Sequence, residues 1–195
     1  MAQILDLRKE YRHFYNPSSR APEIVEVPPF DFLMIDGHGD PNLSAEYQQA
    51  VEALYSLAYT IKFEVKRSHG IDFTVMALEG LWWAEDMTQF STQRKQDWDW
   101  TMMIMQPDLV SAELVASCQA QALKKKKNPA IEKIRFERYE EGTAVQLLHI
   151  GPYAEEGPNI ARMHAFAQEQ GYALHGKHHE IYLGDPRRSA PEKLK

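Results

Sequence analysis

The sequence has very little of what builds disulfide scaffolds, membrane spans or secreted proteins. Its single cysteine, Cys118, cannot form an internal disulfide, and its place in a predicted helix favours a buried thiol over a nucleophile. The longest apolar runs are far shorter than the roughly 20 residues that cross a bilayer, and the first residues lack the charged start and apolar stretch of a signal peptide. These absences predict a cytoplasmic protein with no membrane partner.

Motifs for several common chemistries are also missing. No Gly-x-Ser-x-Gly elbow is present, which argues against a serine hydrolase. The glycines on either side of His38 are followed by Asp-Pro, so the sequence predicts no phosphate-cradling loop. His175, His178 and His179 suggest a metal site, but neighbours on a strand point to opposite faces and no His-Glu-x-x-His helix exists. We therefore expect neither a metal nor any other cofactor.

The charge of the chain argues against a nucleic-acid partner. The formal net charge is −6, so phosphate backbones would repel the chain as a whole. The exception is the lysine run 124–127, which lies just before Asn128-Pro129. Lysines complement the dipole at a helix C-terminus, and no aromatic or arginine residues interleave with them, so a solvated helix end is favoured over a nucleic-acid site.

With 195 residues, of which 44% are apolar and 26% charged, the chain is long enough for one large domain or two small modules. Residues 1–23 form a charged N-terminal extension that ends in a turn-rich stretch and is too short for a helix-turn-helix domain. Residues 24–195 are expected to form the main domain. It divides into a first module at about 24–107, a connecting helix at about 108–127 and a second module at about 130–190.

The hydrophobic pattern predicts the elements of the first module. A strand at 32–37 ends at a glycine and is followed by a long helix with Asn42 or Ser44 as its N-cap. Segments 73–83 and 98–105 are predicted as a pair of strands, joined by a polar loop over the sheet. The connecting helix then begins at Asp108, its expected cap.

The second module repeats this order in outline. A strand at 143–152 closes on a glycine and a proline, and a helix at about 158–170 has Gly171 as its C-terminal cap. The last strand, 178–183, places Glu180 and Tyr182 on one face and His179 on the other. An acid on a strand face, in a chain with four tryptophans and nine tyrosines, suggests an aromatic pocket for flat or cationic organic molecules.

Several segments in a fixed order resemble the GyrI-like small-molecule-binding domain family, in particular its stand-alone members that look like cyclopropanoid hydrolases. The segments are Phe32-Leu33-Met34-Ile35-Asp36-Gly37 with Asp40-Pro41-Asn42, Leu57-Ala58-Tyr59-Thr60-Ile61-Lys62, Leu78-Glu79-Gly80-Leu81-Trp82-Trp83, Trp100-Thr101-Met102-Met103-Ile104-Met105-Gln106-Pro107, His149-Ile150-Gly151-Pro152-Tyr153 and His178-His179-Glu180-Ile181-Tyr182-Leu183. Each segment by itself is modest evidence for the family, whereas their occurrence in this order is specific to it.

The resemblance implies an α+β, SHS2-like fold of duplicated β-α-β-β modules, related by a pseudo-twofold axis, with an aromatic ligand groove between them. A glutamate on the last strand points into that groove in the family, and the matching residue is Glu180. Some members are effector domains of drug-sensing transcription regulators, but this chain has no room for their DNA-binding domain. The stand-alone subgroup is implied to open the cyclopropane of DNA-alkylating toxins with water, which protects the cell.

That reaction needs a base for water and a donor for the oxygen that gains charge. The candidates for catalysis are Glu180, Tyr153 and Tyr182, and those for ligand binding are Trp82, Trp83, Glu85, Trp100, Met103 and His149. Burial in an aromatic pocket is expected to raise the pKa of Glu180.

Each candidate also has a structural explanation. Tryptophans on strands usually belong to the core, Glu180 can be an exposed strand residue, and Glu85 can lie in a solvated loop. His164 is more often a surface or core histidine than a catalyst. Three functional hypotheses follow: a cofactor-free hydrolase, a module that sequesters cationic or planar drugs, and, less favoured, a protein that binds gyrase.

Overall fold

A five-stranded antiparallel sheet organises the computed structural model, which describes residues 3–85, 87, 94–185 and 188–195. The described strands are β1 Gln3–Leu5, β2 Glu23–Val27, β3 Phe30–His38, β4 Ile71–Phe73, β5 Leu78–Trp83, β6 Asp99–Gln106, β7 Arg135–Tyr139, β8 Gly142–Gln146 and β9 His178–Tyr182. The described α-helices are α1 Leu7–Glu10, α2 Arg12–Tyr15, α3 Ala45–His69, α4 Ala112–Lys126 and α5 Gly157–Glu169. The α+β class predicted from the sequence is confirmed.

The central sheet has the strand order β7-β3-β6-β5-β9, with every neighbouring pair antiparallel. Two smaller sheets flank it: β1 pairs with β4 in parallel, and β2 pairs with β8 antiparallel. The order of strand, helix and strand occurs twice, first as β3, α3 and β5 and then as β8, α5 and β9. The β3–β7 and β5–β9 pairs join the two halves, so strands of the second half form both edges of a sheet whose three inner strands come from the first half.

The long helix α3 covers one face of the sheet. The Ser44 side chain accepts a hydrogen bond from the Tyr47 backbone N–H at 3.2 Å, which confirms one of the two predicted N-caps. Gly70, with φ of 68°, ends the helix in the left-handed conformation that glycine adopts without strain. Leu54, Leu57 and Ile61 on its inner side are fully buried against the sheet. Among the described residues no helix combines the length and apolar character that a membrane span requires.

Several predicted boundaries were wrong. The connecting helix is capped by Ser111 rather than Asp108, because a turn closed by the Val110 N–H and the Pro107 carbonyl at 2.9 Å delays the first helical residue. The strand predicted at 73–83 is broken at 74–77, and that predicted at 143–152 ends at Gln146. Half of the predicted loop over the sheet, 84–97, lies outside the described residues.

The N-terminal segment belongs to the folded body. Strand β1 pairs with β4, and the side chains of Leu7, Phe14 and Tyr15 are buried in the main core. The short helices α1 and α2 therefore pack against the sheet, and Tyr15 reaches a charged group described below.

A glycine in β3 makes room for the largest core side chain. Trp100 is fully buried, and a Cβ atom on Gly37, its partner across the strand pair, would lie 2.1 Å from the Trp100 ring. We expect Gly37→Ala to lower the free energy of unfolding by about 1–3 kcal/mol, because the buried indole must shift in a packed core. Denaturant unfolding measures this. The control is Gly157→Ala, at the start of α5, where a Cβ meets nothing within 4 Å; equal stability of the two variants would contradict the prediction.

Candidate functional site

Strand β9 presents its carboxylate to a set of hydrogen-bond donors on the α3 side of the sheet. The Tyr182 hydroxyl donates to Glu180 Oε2 at 2.5 Å, and His178 Nε2 lies 3.3 Å from Glu180 Oε1. The indole N–H of Trp82, on the adjacent strand, donates to the Tyr182 hydroxyl oxygen at 3.0 Å. The predicted alternation of β9 is thus confirmed, with Glu180 and Tyr182 on one face.

The strand register explains how these groups come together. Gly80 lies directly opposite Glu180, and Trp82 opposite His178. A Cβ on Gly80 would come within 2.7 Å of the Trp82 indole nitrogen, so the absence of a side chain at Gly80 lets the indole reach Tyr182.

The charge state of Glu180 differs from the expectation. Burial by itself raises the pKa of Glu180, but hydrogen bonds from His178 and Tyr182, the charge on His178 and that on Lys95 outweigh it, and the net pKa is lowered. The predicted rise in the pKa of Glu180 was therefore wrong. The prediction included desolvation but not the hydrogen-bond donors, which only the folded structure brings to the carboxylate. The Glu180 side chain retains 20% exposure, so the ionised carboxylate is accessible from one side.

A second carboxyl group, Glu156, completes an acid and base pair. Glu156 precedes the first turn of α5, and burial, followed by the negative charge of Glu180, raises its pKa to about 7. Two carboxyl groups whose pKa values are pushed apart are typical of a site that holds one proton donor and one proton acceptor. Sequence analysis missed Glu156, since the stretch Glu155-Glu156 has the composition of a solvated loop.

Tyrosines line the space around this pair. The Tyr153 and Tyr182 rings meet edge to face with centroids 5.8 Å apart, and burial and then the charge of Glu180 raise the pKa of Tyr153. The Tyr153 hydroxyl is buried and has no hydrogen-bond partner among the described residues. Burial, then the charges of Glu180 and Tyr153, raises the pKa of Tyr47 on α3 as well. Burial and then the charge of Glu180 also raise the pKa of Tyr182, so all three phenols stay protonated near neutral pH.

The other predicted ligand-binding residues lie away from this group or beneath it. Trp100 stacks edge to face under Tyr47 at 5.3 Å and, like Met103, has no exposed surface. Trp83 lies on the opposite face of the sheet, with the Lys177 ammonium 3.4 Å from its ring centroid. Glu85 is exposed beyond the end of β5.

His149 is held by its own neighbourhood. Its Nε2–H donates to the Pro152 carbonyl at 3.0 Å, and its Nδ1 accepts from the Asn159 side-chain N–H at 2.9 Å. These contacts hold the turn that carries Tyr153, so His149 stabilises the position of Tyr153 through hydrogen bonds to Pro152 and Asn159. His164, on α5, has a lowered pKa because of burial and then the charge of His178.

The opposite face of β9 carries a separate charged group that sequence analysis did not find. His179 bridges two carboxylates, with Nδ1 2.5 Å from Glu141 Oε2 and Nε2 3.1 Å from Glu79 Oε2. The Tyr15 hydroxyl donates to Glu79 Oε1 at 2.6 Å. Burial alone lowers the pKa of His179, but the two carboxylates outweigh it and raise the pKa to about 10. The two histidines of β9 thus point to opposite faces, as predicted.

Comparison with known proteins agrees with this architecture. Two crystal structures of hydrolases from Listeria innocua are similar to the chain: one is 39% identical with a TM-score of 0.83, covering 97% of this chain and 95% of the other, and the second is 40% identical with a TM-score of 0.86, covering 98% and 96%. An uncharacterised conserved protein from Listeria innocua is 42% identical over 97% of this chain and 95% of the other, with a TM-score of 0.88.

A more distant likeness concerns the fold alone. The C-terminal domain of EcmrR is 13% identical, with a TM-score of 0.54 over 89% of this chain and 90% of that domain. No curated protein matches the sequence. The model of the GyrI-like small molecule binding domain matches residues 20–195. The chain therefore belongs to the GyrI-like small-molecule-binding domain family.

Proposed function

We propose that this protein is a cofactor-independent hydrolase that acts in the cytoplasm on cyclopropanoid DNA-alkylating compounds, adding water to the strained ring. The observation that carries the proposal is the accessible, ionised Glu180 beside Glu156, whose pKa is raised to about 7, and the unpartnered Tyr153 hydroxyl. Similarity to hydrolases at about 40% identity supports a hydrolytic reaction, and the motifs of the cyclopropanoid-hydrolase subgroup support this substrate class.

Glu180 serves as the base in this proposal. Its carboxylate removes a proton from water while the water oxygen forms a bond to the cyclopropane methylene carbon. The carbon–carbon bond of the ring breaks, and its electron pair passes into the conjugated dienone, which becomes a phenolate. Hydrogen bonds from His178 and Tyr182 hold the carboxylate in place. Because Tyr182 already donates to Glu180, its role is to orient the base.

Tyr153 and Glu156 supply the electrophilic half of the site. The Tyr153 hydroxyl, which lacks a partner among the described residues, donates a hydrogen bond to the oxygen that gains negative charge. Glu156, which keeps its proton up to about pH 7, gives it to the phenolate. The proton on Glu180 then returns to solvent or to Glu156, so the net change is addition of one water.

Turnover tests the proposal. We expect a catalytic amount of protein, mixed with an excess of a cyclopropanoid alkylator in ¹⁸O-labelled water, to release a product that carries one labelled oxygen over many turnovers. Mass spectrometry of the product detects the addition of water to the compound, and mass spectrometry of the protein detects its alkylation. Stoichiometric alkylation of the protein, or tight binding with the compound unchanged, would contradict hydrolysis.

A non-catalytic drug-sequestering function is the second candidate. It is favoured by one observation: the partly exposed carboxylate of Glu180, surrounded by Tyr47, Tyr153 and Tyr182, has the chemistry that attracts planar organic cations. Under this alternative, a cationic dye binds tightly and the alkylator is held without conversion. The turnover experiment separates the two functions.

A further inference from the structure

An aromatic ladder runs along the exposed side of α3. Its members, Tyr55, Tyr59 and Phe63, are spaced four residues apart and so fall on one side of the helix. The Tyr59 ring centroid lies 6.5 Å from that of Tyr55 and 6.3 Å from that of Phe63, at interplanar angles of 30° and 29°. Tyr55 is partly buried, whereas Tyr59 is 47% and Phe63 60% exposed. Single apolar residues are ordinary on a protein surface, but a contiguous aromatic row indicates an interaction surface.

Opposite charges flank this ladder at equal distances from its centre. Glu52 and Lys66 lie seven residues before and after Tyr59, about two helical turns in each direction, so all three residues share one side of the helix. Both charged residues are exposed. The Lys66 ammonium contacts the Asp72 carboxylate at 2.6 Å, but Lys62 contacts the same carboxylate at 2.5 Å, so the two lysines together keep one positive charge. The ladder therefore has a negative end and a positive end.

We propose that this face of α3 binds the same face of a second copy of the chain, with the two helices antiparallel about a twofold axis at Tyr59. Each residue then lies opposite the one at the same distance on the other side of the axis. Tyr59 meets the partner's Tyr59, Tyr55 packs on the partner's Phe63, and Glu52 pairs with the partner's Lys66. A twofold interface requires such a self-complementary surface, because one patch serves both chains. A different protein would not require this symmetry, so the placement of the charges favours a second copy.

The size of the face predicts a weak dimer whose population depends on concentration. From Glu52 to Lys66 the helix is about 21 Å long, and three aromatic side chains that are already partly covered add only a few hundred Å² per chain. The interface therefore falls at the low end of specific interfaces, below about 1,200 Å² in total. Tyr47, the α3 residue beside Glu180, lies about 18 Å from Tyr59 along the helix axis. The dimer thus leaves the candidate active site open.

Sedimentation equilibrium tests the proposal on the unaltered protein at concentrations from about 5 to 500 µM, where weak interfaces associate. We expect monomer at the lowest concentration and dimer at the highest. Tyr59→Glu places two like charges at the axis and should weaken association at least about tenfold. The matched control is Tyr172→Glu, which alters a tyrosine outside α3 with 48% exposure and should leave association unchanged. Circular dichroism verifies that both variants keep the helix content of the unaltered protein.

Charge reversal tests the identity and orientation of the partner. Glu52→Lys and Lys66→Glu each place like charges opposite one another, so each variant alone should associate about tenfold more weakly at low ionic strength. An equimolar mixture of the two should regain the original affinity as a heterodimer, because every charge then faces its opposite.

The controls for charge reversal are Glu169→Lys and Lys125→Glu, at exposed residues outside α3, and each should associate like the unaltered protein. Three results would overturn the proposal: a monomer over the whole concentration range, equal association of Tyr59→Glu and Tyr172→Glu, or a mixture of the Glu52 and Lys66 variants that associates no more tightly than its components.

Discussion

Replacing Glu180 by glutamine should lower kcat for cyclopropane hydrolysis by about 100- to 10,000-fold, the usual contribution of a positioned general base. Glutamine keeps the shape of the side chain and accepts the hydrogen bond from Tyr182, but it cannot take a proton from water. The affinity for a neutral planar ligand should stay within about twofold, because stacking on aromatic side chains does not need the charge. Steady-state kinetics and fluorescence titration of the same preparation measure the two quantities.

The matched control for this experiment is Glu155→Gln, which alters the exposed neighbour of Glu156 and should leave kcat unchanged. Unchanged turnover in Glu180→Gln would remove Glu180 from the role of base. If Glu180→Gln loses only the binding of cationic ligands, and the unaltered protein shows no turnover, the result would instead support the drug-sequestering function.

The second large effect is expected at His179, on the other face of the same strand. His179→Gln should lower the free energy of unfolding near pH 6 by about 3–5 kcal/mol, because it leaves the charges of Glu79 and Glu141 buried without their shared cation. Glu79 is 2% exposed, so water cannot replace the imidazolium there. Denaturant unfolding of both proteins across pH measures this difference, with His175→Gln as the control at an exposed histidine.

The pH dependence gives this prediction a sign. The pKa of His179 is about 10 in the folded protein, above its value of about 6.5 in an unfolded chain. The stabilisation is therefore fully present below pH 6.5 and is lost as pH rises through about 10. The difference in the free energy of unfolding between the unaltered protein and His179→Gln should therefore become smaller over that pH range. A difference in the free energy of unfolding that does not change with pH would show that the His179 imidazole is not charged in the folded state.

Local sequence patterns predicted the elements that carry the site. The helical spacing of buried residues and the Ser44 cap located α3, and the alternation of β9 placed Glu180 and Tyr182 on one face. These features depend on neighbours within a few residues, so a single segment contains the information. The pairing of β5 with β6 was also predicted correctly, since both are apolar and close in the chain.

The partners of Glu180 and His179 come from distant parts of the chain and could not be predicted in this way. Trp82 reaches Tyr182 across the β5–β9 pair, 100 residues away, and Tyr15 reaches Glu79 across 64. Nothing in the segment around Glu156 distinguishes it from a solvated acid. The pKa of Glu180 was predicted with the wrong sign for the same reason, because the donors that outweigh burial are seen only in the folded site.

The sequence by itself determined the α+β class, the long helix, the last strand and the face on which its acid lies. Tertiary structure decided which acid is ionised, which aromatic residues are core and which surround the site, and that the N-terminal turns pack into the main core. The physical reason is the distance along the chain over which each kind of interaction acts. Periodicity and capping act over a few residues, whereas desolvation, hydrogen-bond partners and neighbouring charges are set by contacts between segments far apart in the chain.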